Sequence, residues 1–566
     1  PHRLLPVDGA WRIRLASGLA SADGRTFVQP DYSQSLDFTQ AQRDGLPNVF
    51  NVTFRRLRQE PPVFRNGQTD AQIQQFASST TGNPINKALG GAGLARFITG
   101  NFWMEDHQAD VLENGGDVSH FSRVVRWSAL RHHVKTAQPR PRGYSNRWYV
   151  SHLHLGQGVV PDSSSTASGD LLPNYLSRVQ PYAVYVPRHL KLHRHRLPLT
   201  WILHSLGVNL NQYGALNPRL IQQECQHRHS ICATTEGLGP DGWYFDKSEQ
   251  DFWSVWRALA TSYRLDPRRA VISGYSMGGW ASYKLGLAHP DLFSQAMSLE
   301  GPPNCGIRLL VLSGEEIAIK SGAGATGHCR DDGRTLPLLG NARWLPYTMT
   351  QGGIDELVPA PSNPQQANQL RQLGLRYTLY FLPADDHLVY ATQDRFGGIV
   401  GNLGTRVPKV KRNPARIRYS WYPDLTSHRL GIGASTAYWV TRMAAATRAP
   451  GAIASMRVHS FGRRDRAIRP FSVGPTAVTT PLPATRTGVR WHRGARPARR
   501  DRLRLRLSRV KSLTVNARRA GLECPRVVAN ADHRVRLVLT HLRSAGGHRQ
   551  VVSLGKGRSV RRPDCS

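Results

Sequence analysis

Gly274-Tyr275-Ser276-Met277-Gly278 is a segment in which a serine hydroxyl could act as a nucleophile. The apolar run at residues 269–273 predicts a buried strand before it, and residues 279–289 predict a helix after it. A G-x-S-x-G sequence between a strand and a helix forms a tight turn that lifts the serine hydroxyl above the sheet. Glycines let the strained backbone of such a turn pass. Ser276 is therefore the predicted nucleophile.

Two later segments offer the partners that this serine needs. A serine hydroxyl is a weak nucleophile at neutral pH unless a base activates it and a third group orients the base. Asp355 follows a predicted strand at residues 344–350, and His387 follows another at residues 377–382. Because both residues stand at strand ends, we predict that they complete a catalytic triad with Ser276.

The chain from about residue 180 to 442 resembles the α/β-hydrolase superfamily. Within it, the chain resembles the secreted prolyl-oligopeptidase-like and polyhydroxybutyrate-depolymerase-like serine esterases of bacteria. The segments that carry the resemblance are Leu203-His204-Ser205-Leu206-Gly207, residues 263–268 with 274–279, Pro290-Asp291-Leu292-Phe293, Asp355-Glu356-Leu357-Val358-Pro359 and Asp386-His387. The resemblance implies an α/β-hydrolase fold, a Ser-His-Asp triad, a covalent acyl-enzyme and no cofactor. It leaves the substrate open, because esterases, depolymerases and peptidases share these motifs.

The carboxylate that orients the base has alternatives. Asp385 and Asp386 directly precede His387, and Glu356 is adjacent to Asp355. A residue next to a histidine in the chain rarely turns back onto that imidazole. We prefer Asp355, because its strand-end turn and the following Glu-Leu-Val-Pro match the family.

The resemblance also implies two backbone donors for the oxyanion of the tetrahedral intermediate. One is the N–H of Met277, the residue after the nucleophile. The other comes from the loop after the early strand at residues 199–203, where Ser205 or Leu206 would donate. The family has glycine where this chain has Ser205, and a backbone donor tolerates that change if the dihedral angles fit.

Aromatic residues near the nucleophile are candidates for binding substrate. Trp243 and Tyr244 lie in a glycine-rich loop at residues 237–246, and such loops line active sites in this fold. Tyr275, next to the nucleophile, is a third candidate. An equal alternative is that the loop is anchored by its own aromatic side chains. The aromatic stripe of the predicted helix at residues 251–263 is expected in the core.

Six cysteines fall into three local pairs, which predicts three disulfides and an oxidising compartment. The pairs suggested by proximity are Cys225 with Cys232, Cys305 with Cys329, and Cys524 with Cys565. The alternative is six free buried thiols. The first residues, Pro1-His2-Arg3, fit a mature protein after removal of a leader, so we expect a secreted protein. We expect no metal, because CxxC pairs are missing and the H-x-H pairs lack a third ligand.

The chain is strongly basic, with 75 Lys and Arg against 38 Asp and Glu and a formal net charge of +37. From Phe461 onward there are 26 Lys or Arg against 5 Asp or Glu. Such a charge attracts polyanions, so an anionic polymer or cell-wall surface is a candidate partner. The alternative, which composition favours, is that the charges are only solvated. No nucleic-acid-binding motif accompanies them, and no apolar run is long enough to span a bilayer.

The expected class is α/β, with four parts along the chain. Residues 1–187 read as a β-rich accessory domain with a helical insertion near 70–77, and residues 188–460 as the hydrolase. Residues 461–500 read as a basic, proline-rich linker, and residues 501–566 as a small β-rich domain, because residues 502–507 alternate between arginine and leucine.

The sequence predicts a secreted serine hydrolase that cleaves a small or polymeric carboxylic ester. A prolyl-oligopeptidase-like peptidase is one alternative, although no propeller-length repeat precedes the hydrolase segment. A polyanion-binding surface protein with an incidental hydrolase fold is the other.

Overall fold

The computed structural model describes residues 142–564 with gaps, together with five short strands before residue 142. The gaps are residues 152, 154–158, 161–173, 176–178, 193–195, 207–209, 211, 216, 240–241, 311–315, 320–332, 388, 390–395, 481 and 544–548. The predicted helical insertion near residues 70–77 lies outside the described residues, as do Cys329 and Cys565.

The strands of the described part are given in two groups, β1 to β17 and β18 to β28. The first group is β1 (Ala10–Arg14), β2 (Leu19–Ala20), β3 (Phe27–Val28), β4 (Thr53–Arg55), β5 (Ser122–Arg126), β6 (Gly143–Val150), β7 (Val159–Val160), β8 (Asn174–Tyr175), β9 (Val179–Val186), β10 (Leu197–Leu203), β11 (Ile231–Thr235), β12 (Leu265–Tyr275), β13 (Gln295–Leu299), β14 (Ile307–Leu310), β15 (Glu316–Ile319), β16 (Tyr347–Gly352) and β17 (Tyr377–Leu382). The second group is β18 (Arg416–Trp421), β19 (Val440–Ala445), β20 (Ala454–Ser460), β21 (Ile468–Thr479), β22 (Pro483–Arg493), β23 (Arg502–Ser508), β24 (Val510–Asn516), β25 (Arg526–Ala531), β26 (Val535–Thr540), β27 (Arg549–Leu554) and β28 (Gly557–Arg561).

A central sheet carries the functional residues, in the strand order β21-β22-β17-β16-β13-β12-β10-β11-β9-β6-β4. The strands from β17 to β11 are parallel, and β9, β6, β4 and β22 add antiparallel edges. The chain passes from β9 over β11 to β10, and then returns to β11 before it reaches β12. This order confirms the predicted α/β-hydrolase fold.

The inner strands are buried on both faces, which is the pattern of a parallel sheet covered by helices. Every side chain of β10, Leu-Pro-Leu-Thr-Trp-Ile-Leu, is buried. The last six residues of β12 are buried as well. Parallel strands end at the same edge of the sheet, so the residues after β12, β13, β16 and β17 are brought together there.

Helices pack on the sheet, and one of them begins directly after Ser276. In chain order the α-helices of the described part are α1 (Gln212–Ala215), α2 (Pro218–Ile221), α3 (Asp246–Ser262), α4 (Met277–Ala288), α5 (Ser362–Gln372), α6 (Gly397–Gly401) and α7 (Ala517–Ala520). A π-helical turn, Gln222–Gln226, and two 3₁₀ helices, Leu336–Trp344 and Pro423–Leu425, complete them. None of the described helices combines the length and hydrophobicity needed to cross a bilayer.

Two further sheets, β18-β20-β23-β25-β28 and β19-β24-β26-β27, share a second hydrophobic core and form a β-sandwich. The predicted alternation in β23 is confirmed, because Leu503, Leu505 and Leu507 are buried while Arg504 and Arg506 are exposed. The sandwich therefore keeps its leucines inside and presents a basic face to solvent.

The sheets divide the chain differently from the predicted domains. β4, β6 and β9 come from the predicted accessory domain at residues 1–187, yet they lie in the central sheet. The sandwich begins at β18, inside the predicted hydrolase range, and the predicted linker at residues 461–500 contains the hairpin β21–β22, which pairs with β17. Most side chains of β21 are exposed, so the segment lacks the apolar period that predicts a strand.

Candidate active site

The turn between β12 and α4 holds Ser276 in a conformation that few residues adopt, with φ 55° and ψ −117°. Gly278 makes this turn possible, because a Cβ there would stand 1.9 Å from the carbonyl oxygen of Leu203. The backbone N–H of Ser276 donates to the carbonyl of Leu299, at a distance of 2.8 Å. The predicted tight turn, the nucleophile elbow, is therefore present. It holds the serine at the carboxyl edge of the sheet, the edge at which the parallel strands end.

Ser276, His387 and Asp355 meet at this edge, as their strand-end positions predict. The Nε2 atom of His387 lies 2.9 Å from the Oγ of Ser276. On the other side of the ring, Nδ1 lies 2.9 Å and 2.8 Å from the two carboxylate oxygens of Asp355. Asp355 and His387 are 4% and 3% exposed, so water scarcely competes for these hydrogen bonds.

The carboxylate that contacts the imidazole is Asp355, while the alternatives have other positions. Asp355 also accepts the backbone N–H groups of Leu357, at 3.1 Å, and Val358, at 2.7 Å, which fix its orientation. Glu356 instead accepts the backbone N–H of His387, at 3.1 Å. It therefore holds the main chain of the histidine and not its ring.

The side chain of Tyr275 contacts His387 and does not line a cleft. Its side chain is 3% exposed, its ring stacks on that of His387 with centroids 5.1 Å apart, and its hydroxyl donates to the His387 carbonyl. The backbone N–H of Tyr275 donates in turn to the hydroxyl of Tyr213, which donates to the carbonyl of Leu203. The sequence suggested Tyr275 as a substrate-binding residue, but the structure gives it a positioning contact.

The loop after β10 supplies one predicted oxyanion donor at most. The backbone N–H of Ser205 donates to the side-chain oxygen of Gln212, at 2.8 Å, so this group is already used. The N–H of Leu206 is the remaining candidate of the two. Met277 opens α4, and the first N–H groups of a helix have no intrahelical acceptor. The structure thus narrows the predicted pair to Met277 and Leu206.

His204 belongs to the scaffold of this loop. Its Nδ1 lies 2.9 Å from the carbonyl of Ser205, and its Nε2 lies 2.9 Å from the carbonyl of Glu236. The Glu236 carboxylate accepts the backbone N–H of Leu210, at 3.0 Å. Burial lowers the pKa of His204.

Trp243 and Tyr244 are core residues, which differs from their predicted place at a substrate cleft. They are 1% and 0% exposed. The ring of Trp243 packs edge-on against Trp280, with centroids 5.6 Å apart, and the ring of Tyr244 lies 5.8 Å from that of His204. Both residues have positive φ, 42° and 50°. The loop is therefore anchored by its own aromatic side chains.

Glu300 is a site residue that the sequence reasoning missed. It directly follows β13, is 0% exposed and has a φ of 48°. Its Oε2 accepts the backbone N–H of Gly352, at 2.7 Å, and its carboxyl group hydrogen-bonds to Asp355. The rule that located Asp355, a polar residue directly after a parallel strand, would also have found Glu300.

Burial shifts the titration of the acidic groups and the imidazole in opposite directions. It raises the pKa of Asp355 to about 8, against the effect of the backbone N–H of Val358. It lowers the pKa of His387. The pKa of Glu300 is raised well above its usual value by burial and then by the charge of Asp355. In the hydrogen bond between the two carboxyl groups, Glu300 is the donor and Asp355 the acceptor, because this bond raises the pKa of Glu300 and lowers that of Asp355.

A disulfide lies behind the site, between the π-helical turn and β11. Cys225 and Cys232 are bonded as predicted, with Cα atoms 5.8 Å apart. Cys305 and Cys524 are disulfide-bonded as well, and their predicted partners lie outside the described residues.

The strand order, together with the elbow at Ser276, is that of the α/β-hydrolase fold. Residues 244–306 match the profile of the Prolyl oligopeptidase family. The chain is similar to the fluorophosphonate-binding serine hydrolase F of Staphylococcus aureus in a substrate-bound state, with 18% identity, 45% of this chain and 95% of that chain covered, and a TM-score of 0.33. It is also similar to an S-formylglutathione hydrolase from Agrobacterium tumefaciens, with 14% identity, 45% of this chain and 92% of that chain covered, and a TM-score of 0.32. A ferulic acid esterase is similar as well, with 16% identity, 44% of this chain and 92% of that chain covered, and a TM-score of 0.32. The comparison with curated proteins found no match.

Proposed function

We propose that the protein is a serine hydrolase that cleaves carboxylic esters through a covalent acyl-enzyme. The observation that carries this proposal is the contact of 2.9 Å between His387 Nε2 and Ser276 Oγ, with His387 Nδ1 on the Asp355 carboxylate. A nucleophile, a base within hydrogen-bond distance and a group that orients the base are the parts that acyl transfer needs.

In the first half of the reaction, Ser276 attacks the ester carbonyl while His387 Nε2 takes the hydroxyl proton. Asp355 holds the N–H of Nδ1, so that the free lone pair of the ring faces the serine. The negative charge on the carbonyl oxygen is stabilised by the N–H groups of Met277 and Leu206. His387 then returns its proton to the alkoxide, and the alcohol leaves from an acylated Ser276.

In the second half, water replaces the alcohol. His387 takes a proton from the water molecule as it attacks the acyl carbonyl, and returns that proton to Ser276 Oγ as the acid leaves. The same donors stabilise the second oxyanion. The reaction consumes one ester and one water, and it yields one acid and one alcohol.

The ester is the less demanding substrate for this site. An alcohol is a better leaving group than an amine, so a triad that opens amides also opens activated esters, while the reverse need not hold. The match of residues 244–306 to the Prolyl oligopeptidase family favours a second candidate, a serine peptidase with the same three residues. A polyester substrate is a narrower form of the first proposal.

We place this activity in an oxidising compartment, outside the cytosol. The Cys225–Cys232 bond, with Cys305 and Cys524 also bonded, supports this location because disulfides persist where thiols are not continuously reduced. Mass spectrometry of the secreted fraction and the cell fraction would test it.

The function is tested with a short-chain p-nitrophenyl ester and a proline p-nitroanilide, using the wild type and Ser276→Ala. Ser282→Ala is the matched control, because Ser282 is a buried serine in α4 whose hydroxyl donates to the Gly279 carbonyl. We expect ester turnover that Ser276→Ala loses and Ser282→Ala keeps. Anilide cleavage by the wild type would support the peptidase, and ester turnover by Ser276→Ala would contradict both candidates.

A further inference from the structure

A cavity of about 350 Å³ lies where the sandwich meets the base of the β21–β22 hairpin. Its lining includes Arg343 and Trp344, which end the 3₁₀ helix before β16, and Arg416, which begins β18. Phe461 follows β20, and Ala495 follows β22. Several segments that are distant in sequence therefore build one concave site.

This cavity is separate from the Ser276 site. Trp344 lies before the first residue of β16, whereas Asp355 lies after the last residue of the same strand. Six residues of strand span about 20 Å at 3.3 Å for each residue. The cavity is thus at the amino edge of the central sheet, and the triad is at the carboxyl edge.

Five arginines line the cavity, against one carboxylate. They are Arg343, Arg416, Arg463, Arg466 and Arg496, and none of them forms a salt bridge within the described part of the chain. Of the lining residues only Asp465 is acidic, and it is occupied by Lys411 Nζ and by the backbone N–H of Ala415, both at 2.6 Å. The Nε of Arg343 is buried and lacks a hydrogen-bond partner among the described residues. The charge of Asp465 acts on Arg343 and Arg463, and the five arginines still leave the cavity with a net positive charge.

His459, in the cavity wall, responds to this charge. Its pKa is lowered to about 4, first by burial and then by Arg416, Arg504, Arg343 and Arg502. The imidazole is therefore neutral at physiological pH, because burial and then the neighbouring arginines disfavour its charged form. An anion in the cavity would offset the same repulsion.

The aromatic walls offer apolar contact, although their faces are already partly covered. Lys411 Nζ lies 5.5 Å from the ring centre of Trp344, and the guanidinium groups of Arg502 and Arg504 lie 5.5 Å from that of Phe461. The ring of His459 is 3.9 Å from that of Phe461. A flat base stacks on an open aromatic face, so the partly covered faces of Trp344 and Phe461 disfavour a nucleobase here.

We propose that this cavity binds an acidic saccharide of about disaccharide size, which carries at least two carboxylate, sulfate or phosphate groups. The volume falls in the range of small-molecule sites. Guanidinium groups bind such oxyanions with paired N–H donors and stay charged at every physiological pH. The cavity does not depend on the reaction at Ser276, so the protein would hold an anionic polymer at one edge of the sheet while the other edge remains free.

The test is calorimetric titration of the full chain with a trisulfated heparin disaccharide, at low and at physiological ionic strength. The double variant Arg466→Gln/Arg496→Gln removes two exposed arginines of the cavity, and Arg534→Gln/Arg536→Gln removes two exposed arginines outside its lining. Both variants lose two positive charges. A difference between them therefore distinguishes binding in the cavity from non-specific electrostatic attraction to the basic protein. Their melting temperatures should match that of the wild type.

We expect saturable binding of one disaccharide, weakened at least about tenfold by the cavity variant and less than about twofold by the control variant. The neutral disaccharide cellobiose should not bind. Equal weakening by both double variants, or no saturable binding at low ionic strength, would overturn the proposed site. Tighter binding of adenosine 3′,5′-bisphosphate than of the disaccharide would overturn the saccharide assignment in favour of a nucleotide.

Discussion

Charged groups are buried and hydrogen-bonded at the carboxyl edge of the central sheet, but exposed in the cavity at its amino edge. We call the cavity lined by the five arginines the arginine cavity. At the carboxyl edge, Asp355 is buried and accepts hydrogen bonds from two backbone N–H groups and from an imidazole. At the amino edge, Arg466 and Arg496 are exposed and form no salt bridge within the described residues. A reaction needs polar groups that are positioned before the substrate arrives. A binding cavity needs donors that are still free to bind the ligand.

The largest expected effect comes from removing the charge at the buried edge. Asp355→Asn keeps the size of the side chain, but its amide disfavours the N–H at Nδ1 of His387. We expect kcat on a p-nitrophenyl ester to fall about 10⁴-fold, because the wrong tautomer cannot take the serine proton. Glu356→Gln is the control and should lose far less, since the hydrogen bond of Glu356 to His387 is with the backbone N–H and not with the ring. A small effect of Asp355→Asn would contradict the assignment of the orienting group.

The pH dependence of the reaction follows from burial at the same edge. His387 can take the serine proton only while Asp355 is ionised and His387 is neutral. Burial raises the pKa of Asp355 to about 8, so the pair keeps one extra proton below that pH. We expect kcat/KM to rise with pH and to level off above about pH 8, with about a tenfold loss for each unit below it. A profile that is flat from pH 6 to 9 would contradict this account.

Two substitutions of Glu300 test whether its carboxyl group is protonated or ionised. Gln has the same shape as a protonated Glu, so Glu300→Gln can still accept from Gly352 and donate to Asp355. We expect this variant to keep wild-type kcat/KM. Glu300→Leu removes the donor, which should shift the pH profile upward and lower kcat/KM at pH 7 roughly tenfold. Equal losses in both variants would show that Glu300 acts as a carboxylate.

A smaller effect is expected at Tyr275. Tyr275→Phe keeps the ring that stacks on His387 and removes the hydroxyl that donates to the His387 carbonyl. A hydrogen bond of this kind contributes about 1 kcal/mol, so kcat should fall about fivefold with KM unchanged. A rise in KM alone would instead restore Tyr275 to the substrate-binding role that the sequence suggested.

The smallest expected effect is that of the cavity double variant on ester turnover, and it tests whether the two edges of the sheet are independent. Arg466→Gln/Arg496→Gln should change kcat/KM on a small neutral ester less than about twofold, because the cavity and the triad lie at opposite ends of a strand that spans about 20 Å. The same variant should lose disaccharide binding. A large loss of ester turnover would mean that the two edges are coupled.

The residues of the carboxyl edge were largely predictable, because a parallel sheet collects the ends of its strands. Ser276, Asp355 and His387 follow β12, β16 and β17, and their strands are apolar enough to be predicted. Glu300, after β13, obeys the same rule but belongs to no motif. The contact of Tyr275 with His387 was not predictable, since two neighbours on one edge can face a cleft or each other.

Other parts of the fold depend on pairing between distant segments. The hairpin β21–β22 has few buried side chains in β21, and its place is set by hydrogen bonds to β17. Composition alone therefore suggested a linker. The arginine cavity needs Arg343 and Arg496 to meet across 153 residues of chain. Net charge indicates an anionic partner, but only the folded chain shows where such charges converge.

The most direct test of the central claim is covalent labelling with a fluorophosphonate, followed by peptide mass spectrometry. We predict one labelled peptide, with the phosphonyl group on Ser276, and loss of that label in Ser276→Ala and His387→Ala but not in Ser282→Ala. Labelling at another serine, or none in a folded and disulfide-bonded protein, would contradict the assignment of Ser276 and His387 as nucleophile and base.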